Sequence, residues 1–429
     1  MLPASVAAAL AAAVGVDHVL TDRDVLASYE TDWTGRFRGT AGAVVRAAST
    51  ADVAAVVRVC ASAGVPVVPQ GGNTGLAGGA VPPEGAVVLS TRRMARLGPV
   101  DTVSRQVTAG AGVTVGAVQR AARAAGLDYG VDLASRDTAT VGGTVATNAG
   151  GLRVVQYGDT RRQVLGVEAV LADASVLSRL GGLAKDSTGY DLSGLLVGSE
   201  GTLGIVTAAR LRLVPRRDPG TVVLVGCAGV EDAQRLVPAS GVRAAELMFA
   251  AGVDLVRRVA GLPRPLQADW PAYLLLETDD VPDLPDGVDA AVHPRLWDYR
   301  ERHTEAISTV GVPHKLDVAV PHARLGELVA ALPDAVAPHH AYVFGHIAEA
   351  NLHVNVVGPA PDDDTVDDAV LRLVCGLGGS ISAEHGVGRA KTGWLGLCRS
   401  EAEVAAMRRV KAALDPAGIL NPGALLGPV

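Results

Sequence analysis

Three glycine-rich segments lie in the first half of the chain and limit the folds that are open to it. They span residues 67–79 (VVPQGGNTGLAGG), 138–151 (TATVGGTVATNAGG) and 198–207 (GSEGTLGIVT). Glycine permits positive φ and close approach, so such a loop can present successive backbone N–H groups to a phosphate. Each segment alone could be a tight turn. Three in one domain favour a site for a large, flat, phosphate-bearing cofactor such as FAD.

A fourth glycine cluster resembles a nicotinamide-binding turn. In VTAGAGVTVG, Gly110, Gly112 and Gly116 lie between a strand candidate and a helix candidate. That spacing has little specificity. A strand-to-helix turn that simply needs glycine is the commoner explanation, and we favour it.

The segment between Arg38 and Pro215 alternates short valine-rich runs with alanine-rich helical stretches, which predicts an α+β or α/β domain. One helix is expected over residues 51–63, with Ser49 or Thr50 as its cap and Gly64 as its stop. From residue 216 the glycine clusters give way to Arg, Asp and Pro. We therefore predict four segments: an N-terminal helical segment (1–34), a cofactor-binding domain (35–215), a cap domain (216–340) and a C-terminal segment (341–429) that completes the cap and packs on the cofactor-binding domain.

Composition excludes several classes of function. The net charge of -7 is spread without a block of like charge, so neither nucleic acid nor a polybasic membrane contact is indicated. No run approaches the roughly 18 apolar residues of a membrane helix. The alanine-rich start lacks the basic flank of a secretory signal, and the cysteines form no CxxC pair. We expect a cytoplasmic protein that contacts a membrane only through an electron acceptor.

The histidines are confined almost entirely to the C-terminal third. Of the ten, none lies between His18 and His293. Two short blocks, GHIAEANLHVN (345–355) and SAEHGVG (382–388), place three of them beside carboxylates in segments that also resemble strand ends. This pattern is typical of a metal-assisted active site.

The spacing within these blocks predicts how the ligands converge. In LHVNVV, a period of two places His353 and Asn355 on one strand face. His346 ends the preceding apolar run, and a loop over residues 347–352 can return the chain so that both imidazoles meet. Glu384 supplies a carboxylate from another strand end. Two imidazoles and one carboxylate suit zinc, or less selectively manganese or iron, whereas one such histidine alone is more often a core residue.

Seven ordered motifs resemble the FAD-linked oxidases of the vanillyl-alcohol oxidase superfamily. They are PQGGNTGLAGG, VGGTVATNAGG, YGDTRRQVLGVEAVLADASVL, KDSTGYDLSGLLVGSEGTLGIVT, GHIAEANLHVN, AEHGVG and DPAGILNPG. Together they cover nearly the whole chain. Within the superfamily the resemblance is greatest to the group that contains D-2-hydroxyglutarate dehydrogenases, D-lactate dehydrogenases and the related flavoprotein component of glycolate oxidases.

This resemblance implies an α+β fold: an FAD domain of two subdomains, an α+β cap domain with an antiparallel sheet, and a C-terminal segment that closes the site. FAD should be bound non-covalently, because no histidine between residues 19 and 292 is available to bond to it. The implied cofactor-binding residues are Pro69, Gln70, Gly71, Gly72, Asn73, Thr74, Gly75, Gly78, Thr140, Gly143, Thr144, Thr147, Asn148, Gly150, Gly151, Gly201, Gly204, Ile205, Val206 and Asn421.

The resemblance also implies roles in the C-terminal third. Metal ligands match His346, His353 and Glu384, and the base that deprotonates the substrate matches His385, which could instead be a ligand or support one. The implied substrate-binding residues are Arg300, Thr304, Lys315 and Asn355. Arg300 and Thr304 are at i and i+4, so we expect them on one helix face; without the resemblance, a solvated helix surface would be the simpler explanation.

The expected reaction is oxidation of a D-2-hydroxy acid to the 2-oxo acid, with D-2-hydroxyglutarate first among substrates and D-lactate or glycolate next. A flavoprotein subunit of a multi-subunit oxidase is the first alternative. A nicotinamide-dependent dehydrogenase that uses the turn at residues 110–116 and a metallohydrolase without flavin are the others. An electron acceptor is the expected partner, with a quinone, an electron-transfer flavoprotein and oxygen as the candidates. A homodimer is the expected assembly. Where the family commonly reads GHxGDGNxH, this chain has Ala348, Glu349 and Ala350, so we expect the loop to follow another backbone path.

Overall fold

The computed structural model describes residues 2–183 and 185–427, which form two compact units. Unit 1 comprises Met1–Gly151, Tyr157–Arg216 and Glu384–Val429, and unit 2 comprises Leu152–Gln156 and Arg217–Ala383. Both units combine helices with β-sheet, which is the α+β class expected from the sequence. Among the described residues, no helix is both long and apolar enough to cross a membrane.

The elements follow one another in chain order. The strands are β1 (Val19–Leu20), β2 (Ala41–Arg46), β3 (Val67–Gln70), β4 (Ala86–Ser90), β5 (Gln106–Gly110), β6 (Leu127–Asp128), β7 (Val164–Val170), β8 (Val176–Ser178), β9 (Ile205–Arg212), β10 (Val214–Pro215), β11 (Thr221–Cys227), β12 (Val242–Phe249), β13 (Ala272–Thr278), β14 (Ala290–Val292), β15 (His314–Ala319), β16 (His340–His346) and β17 (Asn351–Val357). The helices are α1 (Ala4–Val14), α2 (Arg23–Glu30), α3 (Thr50–Ala63), α4 (Val115–Ala124), α5 (Val141–Thr147), α6 (Val154–Tyr157), α7 (Thr160–Gln163), α8 (Leu192–Leu196), α9 (Val230–Leu236), α10 (Ala250–Ala260), α11 (Trp297–Glu301), α12 (His303–Ser308), α13 (Leu325–Val336), α14 (Thr365–Gly376), α15 (Leu395–Cys398) and α16 (Glu401–Leu414).

The first sheet of unit 1 has the strand order β1-β2-β4-β3, with β2, β4 and β3 parallel. Helix α3 connects β2 to β3 and has the predicted ends. The Ser49 side chain accepts a hydrogen bond from the Asp52 amide at its start, and Gly64 has φ 64° at its end. Val67 pairs with Leu420 in a parallel bridge, so the C-terminal residues of unit 1 extend this sheet.

The second sheet of unit 1 is antiparallel and has the order β5-β9-β7-β8. Helix α4 is capped by the Thr114 side chain, which accepts from the Ala117 amide. Its buried face joins the sheet residues in one core, which includes Val107, Val115, Val118, Val167 and Leu211.

Unit 2 is organised on a seven-stranded antiparallel sheet in the order β14-β11-β13-β12-β16-β17-β15. Strand β17 has the predicted alternation. His353 and Asn355 pair across the sheet with Phe344 and Tyr342, whereas Val354 faces the other side and is fully buried. The polar side chains of neighbouring strands are therefore brought together on one face.

Candidate functional site

Residues 71–75 follow strand β3 as a loop whose carbonyls are held from one side. The Arg92 side chain donates from Nε to the Gly71 carbonyl (3.1 Å) and from Nη2 to the Gly72 carbonyl (3.0 Å). In a trans peptide the next N–H points opposite to the carbonyl, so the amides of Gly72 and Asn73 face away from Arg92. In the described part of the chain, no acceptor takes a hydrogen bond from the backbone N–H groups of residues 71–75. This row of donors fits a phosphate.

The second glycine-rich segment packs closely on the first. A Cβ atom at Gly71 would lie 2.2 Å from Thr140 Oγ1, and one at Gly72 would lie 2.1 Å from the Thr138 carbonyl oxygen. Thr140 also caps helix α5 by accepting from the Gly143 amide. Glycine is required at both positions because no side chain fits between the two loops.

The third segment packs on the same loop system of unit 1. Glu200 and Gly201 both have positive φ, and a Cβ atom at Gly201 would lie 2.4 Å from Pro69 Cγ. The Glu200 carboxylate accepts from the amides of Val387 (2.8 Å) and Gly388 (2.7 Å). Three segments far apart in sequence thus form one continuous loop system, and strand β9 begins directly after it at Ile205.

Several predicted cofactor-binding side chains are engaged within this loop system and act by shaping it. The hydroxyls of Thr144 and Thr147 donate to carbonyls of their own helix. The amide groups make longer-range contacts: Gln70 donates to the carbonyls of Tyr29 and Ala80, Asn73 to that of Thr31, Asn148 to the Asp159 carboxylate, and Asn421 to the carbonyls of Gly79 and Glu200. Direct contact of these side chains with a cofactor stays a prediction.

The fourth glycine cluster is a packed turn. Cβ atoms at Gly110 and Gly112 would lie 2.3 Å and 2.2 Å from the carbonyl oxygens of Met94 and Thr91. The preceding strand, β5, belongs to an antiparallel sheet, whereas a nicotinamide fingerprint opens a parallel βαβ unit. The turn interpretation therefore holds.

In unit 2, His346 and His353 converge as the sequence predicted. The loop between β16 and β17 returns the chain so that their Nε2 atoms lie 3.4 Å apart. Two imidazole nitrogens bound to one tetrahedral zinc ion at about 2.0–2.1 Å are about 3.3 Å apart, so this pair fits a metal. His353 Nδ1 lies 3.5 Å from Asp317 Oδ1. A carboxylate thus lies beside the other nitrogen of each imidazole, at hydrogen-bond distance for His346 and farther away for His353.

The carboxylate beside His346 is Glu246, which is opposite it in the β12–β16 register. Glu246 Oε1 lies 2.6 Å from His346 Nδ1, and Arg300 Nε donates to Oε2 at 2.5 Å. Burial acts to raise the pKa of Glu246, but the charge of Arg300 and the hydrogen bonds from His346 and Arg300 outweigh it and hold this pKa at about 2. Glu246 is therefore ionised although its side chain is fully buried.

Lys315 and Asn355 are neighbours on the same face, where Lys315 Nζ donates to Asn355 Oδ1 at 3.1 Å. Burial lowers the pKa of Lys315 to about 8. A half-buried ammonium of this kind binds an anionic group well, because part of its water has already been removed. This arrangement suits a substrate carboxylate.

The predicted helix that carries Arg300 and Thr304 is interrupted. Helix α11 ends at Glu301 and α12 begins at His303, with Arg302 between them at φ -88° and ψ 0°. The expectation of one continuous helix face is therefore wrong. Arg300 is also not on a solvated surface: it is buried, and its guanidinium carbon lies 4.5 Å from the centroid of the Phe344 ring. Thr304 is half-buried in the next helix.

The loop between the two histidines keeps a glycine-like conformation despite its alanines. Ala350, which stands at a family glycine, has φ 50° and ψ 35°. Its amide donates to the Ile347 carbonyl, and its carbonyl accepts from the Val320 amide. These bonds hold the left-handed geometry at Ala350, and the expectation that this loop follows another backbone path than the family's stays a prediction.

Glu384 and His385 belong to unit 1 and lie in a bend. The expected strand end is reduced to one isolated bridge at Ser380. Glu384 Oε2 accepts from the Gly151 amide at 2.9 Å, and its carboxylate lies 3.8 Å from His385 Nε2. Their assignments as metal ligand and base stay predictions.

Sequence reasoning missed Glu246, Asp317 and His303. All three are fully buried, and His303 packs against Phe344 with ring centroids 4.7 Å apart. A signal was present for Glu246, since a single carboxylate inside the apolar run AAELMF must be paired if that strand is central. His303 is the first residue of helix α12, directly after the break at Arg302.

Two protein-family models match this chain. One family model, the FAD binding domain, matches residues 41–178, and another, the C-terminal domain of FAD linked oxidases, matches residues 286–425. These matches define an FAD-dependent oxidoreductase. The chain belongs to the FAD-linked oxidase family.

Relatives cover most of the chain. The mitochondrial D-2-hydroxyglutarate dehydrogenase of Bos taurus is 37% identical over 95% of this chain and 81% of its own length. The D-2-hydroxyglutarate dehydrogenase of Xanthomonas citri pv. viticola is 37% identical over 93% of this chain and 92% of its own length.

Solved structures show the same fold. P-cresol methylhydroxylase with substrate bound has a TM-score of 0.80 at 16% identity and covers 99% of this chain and 96% of its own. The 4-ethylphenol oxidase from Gulosibacter chungangensis has a TM-score of 0.75 at 19% identity, and the match covers 99% of this chain and 97% of its own. The predicted vanillyl-alcohol oxidase fold is confirmed.

Proposed function

We propose that this protein oxidises a D-2-hydroxy acid to the 2-oxo acid, with D-2-hydroxyglutarate as its leading substrate. The observation that carries the proposal is the polar face of the unit 2 sheet. It combines Lys315, Asn355 and the paired imidazoles of His346 and His353. Relatives named D-2-hydroxyglutarate dehydrogenase support the choice of substrate.

The cationic side chains bind and orient the acid. Arg300 is buried and Lys315 is half-buried, so each can hold a carboxylate with reduced competition from water. D-2-hydroxyglutarate has two carboxylates, which matches two fixed cations. Asn355 and Thr304 add uncharged polar groups that would help to select the D-isomer.

The imidazoles of His346 and His353 would hold a divalent cation through Nε2. Nitrogen donors favour zinc, with manganese and iron as alternatives. When bound, such a cation supplies a Lewis acid that lowers the pKa of the substrate hydroxyl. We assign Glu384 as a further ligand, and His385 accepts the hydroxyl proton at an imidazole nitrogen.

The amides of residues 71–75 would hold the pyrophosphate of FAD without a covalent bond. Bound FAD supplies the hydride acceptor for the oxidation. Gly71 and Gly72 keep the loop in place against residues 138–140, so that its donors are fixed before the cofactor arrives.

We further propose that an external acceptor, a quinone or an electron-transfer flavoprotein, reoxidises the protein in the cytoplasm, and that the protein is a homodimer. No segment of the protein needs to enter a membrane for this exchange, because the acceptor can take the electrons from the protein and carry them to the membrane.

Steady-state turnover with an artificial dye acceptor tests the proposal. D-2-hydroxyglutarate, D-lactate, glycolate and the L-isomers are compared at equal concentration. The highest kcat/KM is expected for D-2-hydroxyglutarate. A preference for D-lactate or glycolate would identify a different 2-hydroxy acid as the substrate and keep the reaction. Turnover of L-isomers alone would exclude the proposal. Turnover only after addition of a second protein would favour a role as one component of a larger oxidase.

A further inference from the structure

Glu246 divides its carboxylate between two groups of different function. Oε1 faces His346 Nδ1 at 2.6 Å, and Oε2 accepts from Arg300 Nε at 2.5 Å. Glu246 is fully buried, and both partners are nearly so. One side chain thus contacts an assigned metal ligand and an assigned substrate-binding residue at the same time.

We propose that Glu246 is a positioning residue that fixes the tautomer of His346 and the direction of the Arg300 guanidinium together. This inference rests on the proposed function, because it explains how two of the assigned residues are held ready for cation and substrate.

The tautomer follows from the chemistry of the pair. Arg300 Nε donates to Oε2, and the second oxygen, Oε1, lies 2.6 Å from His346 Nδ1 as its acceptor, so Nδ1 carries the proton and donates it to Oε1. The lone pair of the neutral ring then lies on Nε2, the nitrogen that faces His353 at 3.4 Å. Without an acceptor at Nδ1, either nitrogen could carry the proton, and the ring would present its lone pair to the metal in only part of the molecules.

The direction of Arg300 is set in the same way. Glu246 takes the Nε–H, and the guanidinium carbon lies 4.5 Å from the centroid of the Phe344 ring. A guanidinium held at Nε and against a ring keeps its two terminal nitrogens for another acceptor. Because the side chain is already ordered, little rotamer entropy is lost when a carboxylate binds.

Strand pairing places Glu246 where both contacts are possible. It is opposite His346 in the β12–β16 register, and helix α11 presents Arg300 to the same face. The neighbouring buried glutamate, Glu277 on β13, differs: its side chain contacts Arg153 at 3.4 Å. Glu277 is therefore a matched control on the adjacent strand.

Glu246→Gln keeps the shape of the side chain but replaces one of its two hydrogen-bond acceptors by a donor. A glutamine that accepts from Arg300 must present its NH₂ to His346, which moves the ring proton to Nε2 and removes the lone pair from the metal side. Zinc affinity of the purified holoprotein, measured by competition with a chromophoric chelator, is expected to fall roughly ten-fold or more. The KM of Glu246→Gln for D-2-hydroxyglutarate is expected to rise as well, whereas its FAD content should match wild type. The control Glu277→Gln should match wild type in zinc affinity and in KM.

Zinc affinity and KM of Glu246→Gln within two-fold of wild type would overturn the inference. A second measurement on the wild-type protein covers the case in which the variant does not fold. In metal-free wild-type protein, ¹⁵N histidine NMR, assigned against His346→Gln, should show the Nδ1–H tautomer for His346. The Nε2–H tautomer would overturn the inference.

These outcomes also separate the inference from the proposed function. A wild-type protein that oxidises no hydroxy acid, yet shows the Nδ1–H tautomer and zinc loss in Glu246→Gln, would refute the proposed substrate and leave the role of Glu246 intact. If the wild-type protein oxidises the hydroxy acid and Glu246→Gln keeps wild-type zinc affinity and KM, the role of Glu246 is refuted and the proposed substrate stands.

Discussion

The Nε2 atoms of His346 and His353 lie 3.4 Å apart at the point where strands β16 and β17 are joined by a short loop. Their other ring nitrogens face Glu246 and Asp317, on the strands that flank the pair on either side. Four adjacent strands thus supply a carboxylate, two imidazoles and a second carboxylate in sequence. A carboxylate beside the second ring nitrogen is how metal-binding histidines are commonly oriented.

His353→Ala should weaken zinc binding roughly ten-fold or more, because one of two convergent nitrogens is removed. Metal content after dialysis, measured by mass spectrometry, checks this, with FAD content as the test of folding. His340→Ala is the control, since His340 is exposed on strand β16 and its ring contacts Tyr342. Equal metal content in His353→Ala and wild type would exclude the site.

Gly72→Ala should reduce FAD affinity at least roughly ten-fold. Its Cβ would lie 2.1 Å from the Thr138 carbonyl oxygen, so the loop must move away from residues 138–140, and overpacking of this kind costs about 1–3 kcal/mol. FAD titration followed by flavin fluorescence measures the change. Gly396→Ala is the control, because a Cβ there meets no atom within 4 Å. Unchanged affinity in Gly72→Ala would show that the loop does not hold the cofactor.

The kcat/KM for the hydroxy acid should fall as pH rises through about 8. Lys315 is protonated below its pKa of about 8 and neutral above it, so it loses its attraction for a carboxylate on the alkaline side. Lys315→Arg should remove this alkaline limb, because a guanidinium stays charged. A wild-type profile that is flat from pH 7 to pH 10 would contradict the role of Lys315.

Asn421→Ala should lower the free energy of unfolding of unit 1 by about 2–3 kcal/mol. The Asn421 amide donates at 2.8 Å to the part-buried carbonyl of Gly79 and to the buried carbonyl of Glu200, and its loss would remove this donor from both. Asn421 also has φ 41°, which alanine tolerates poorly. Thermal unfolding with and without FAD measures the effect.

Asn421→Gly separates the two causes, since it loses the same bonds but accepts the positive φ. It should be destabilised less than Asn421→Ala. Wild-type stability in both variants would show that this side chain does not hold the loops together.

Features set by neighbouring residues could be predicted from the sequence. Helix α3 begins at Ser49 and ends at Gly64 because a side-chain acceptor and a left-handed residue are local requirements. The faces of β17 follow from a period of two, so the convergence of His346 and His353 needed only a strand, a short loop and a second strand.

Features that depend on distant pairing could not be predicted. Glu246 is 100 residues from His346, and only the strand order brings β12 beside β16. The helix break at Arg302 was missed because no proline or glycine marks it. Ala350 keeps a left-handed conformation because hydrogen bonds to Ile347 and Val320 outweigh its intrinsic preference.

The most direct test of the account is the visible spectrum of the purified protein under anaerobic conditions, before and after D-2-hydroxyglutarate is added, with D-lactate and the L-isomers in parallel. A D-2-hydroxy acid should bleach the flavin spectrum of the protein, whereas its L-isomer should leave the spectrum unchanged. A flavin that no D-2-hydroxy acid bleaches, or a protein that cannot be reconstituted with FAD, would contradict it.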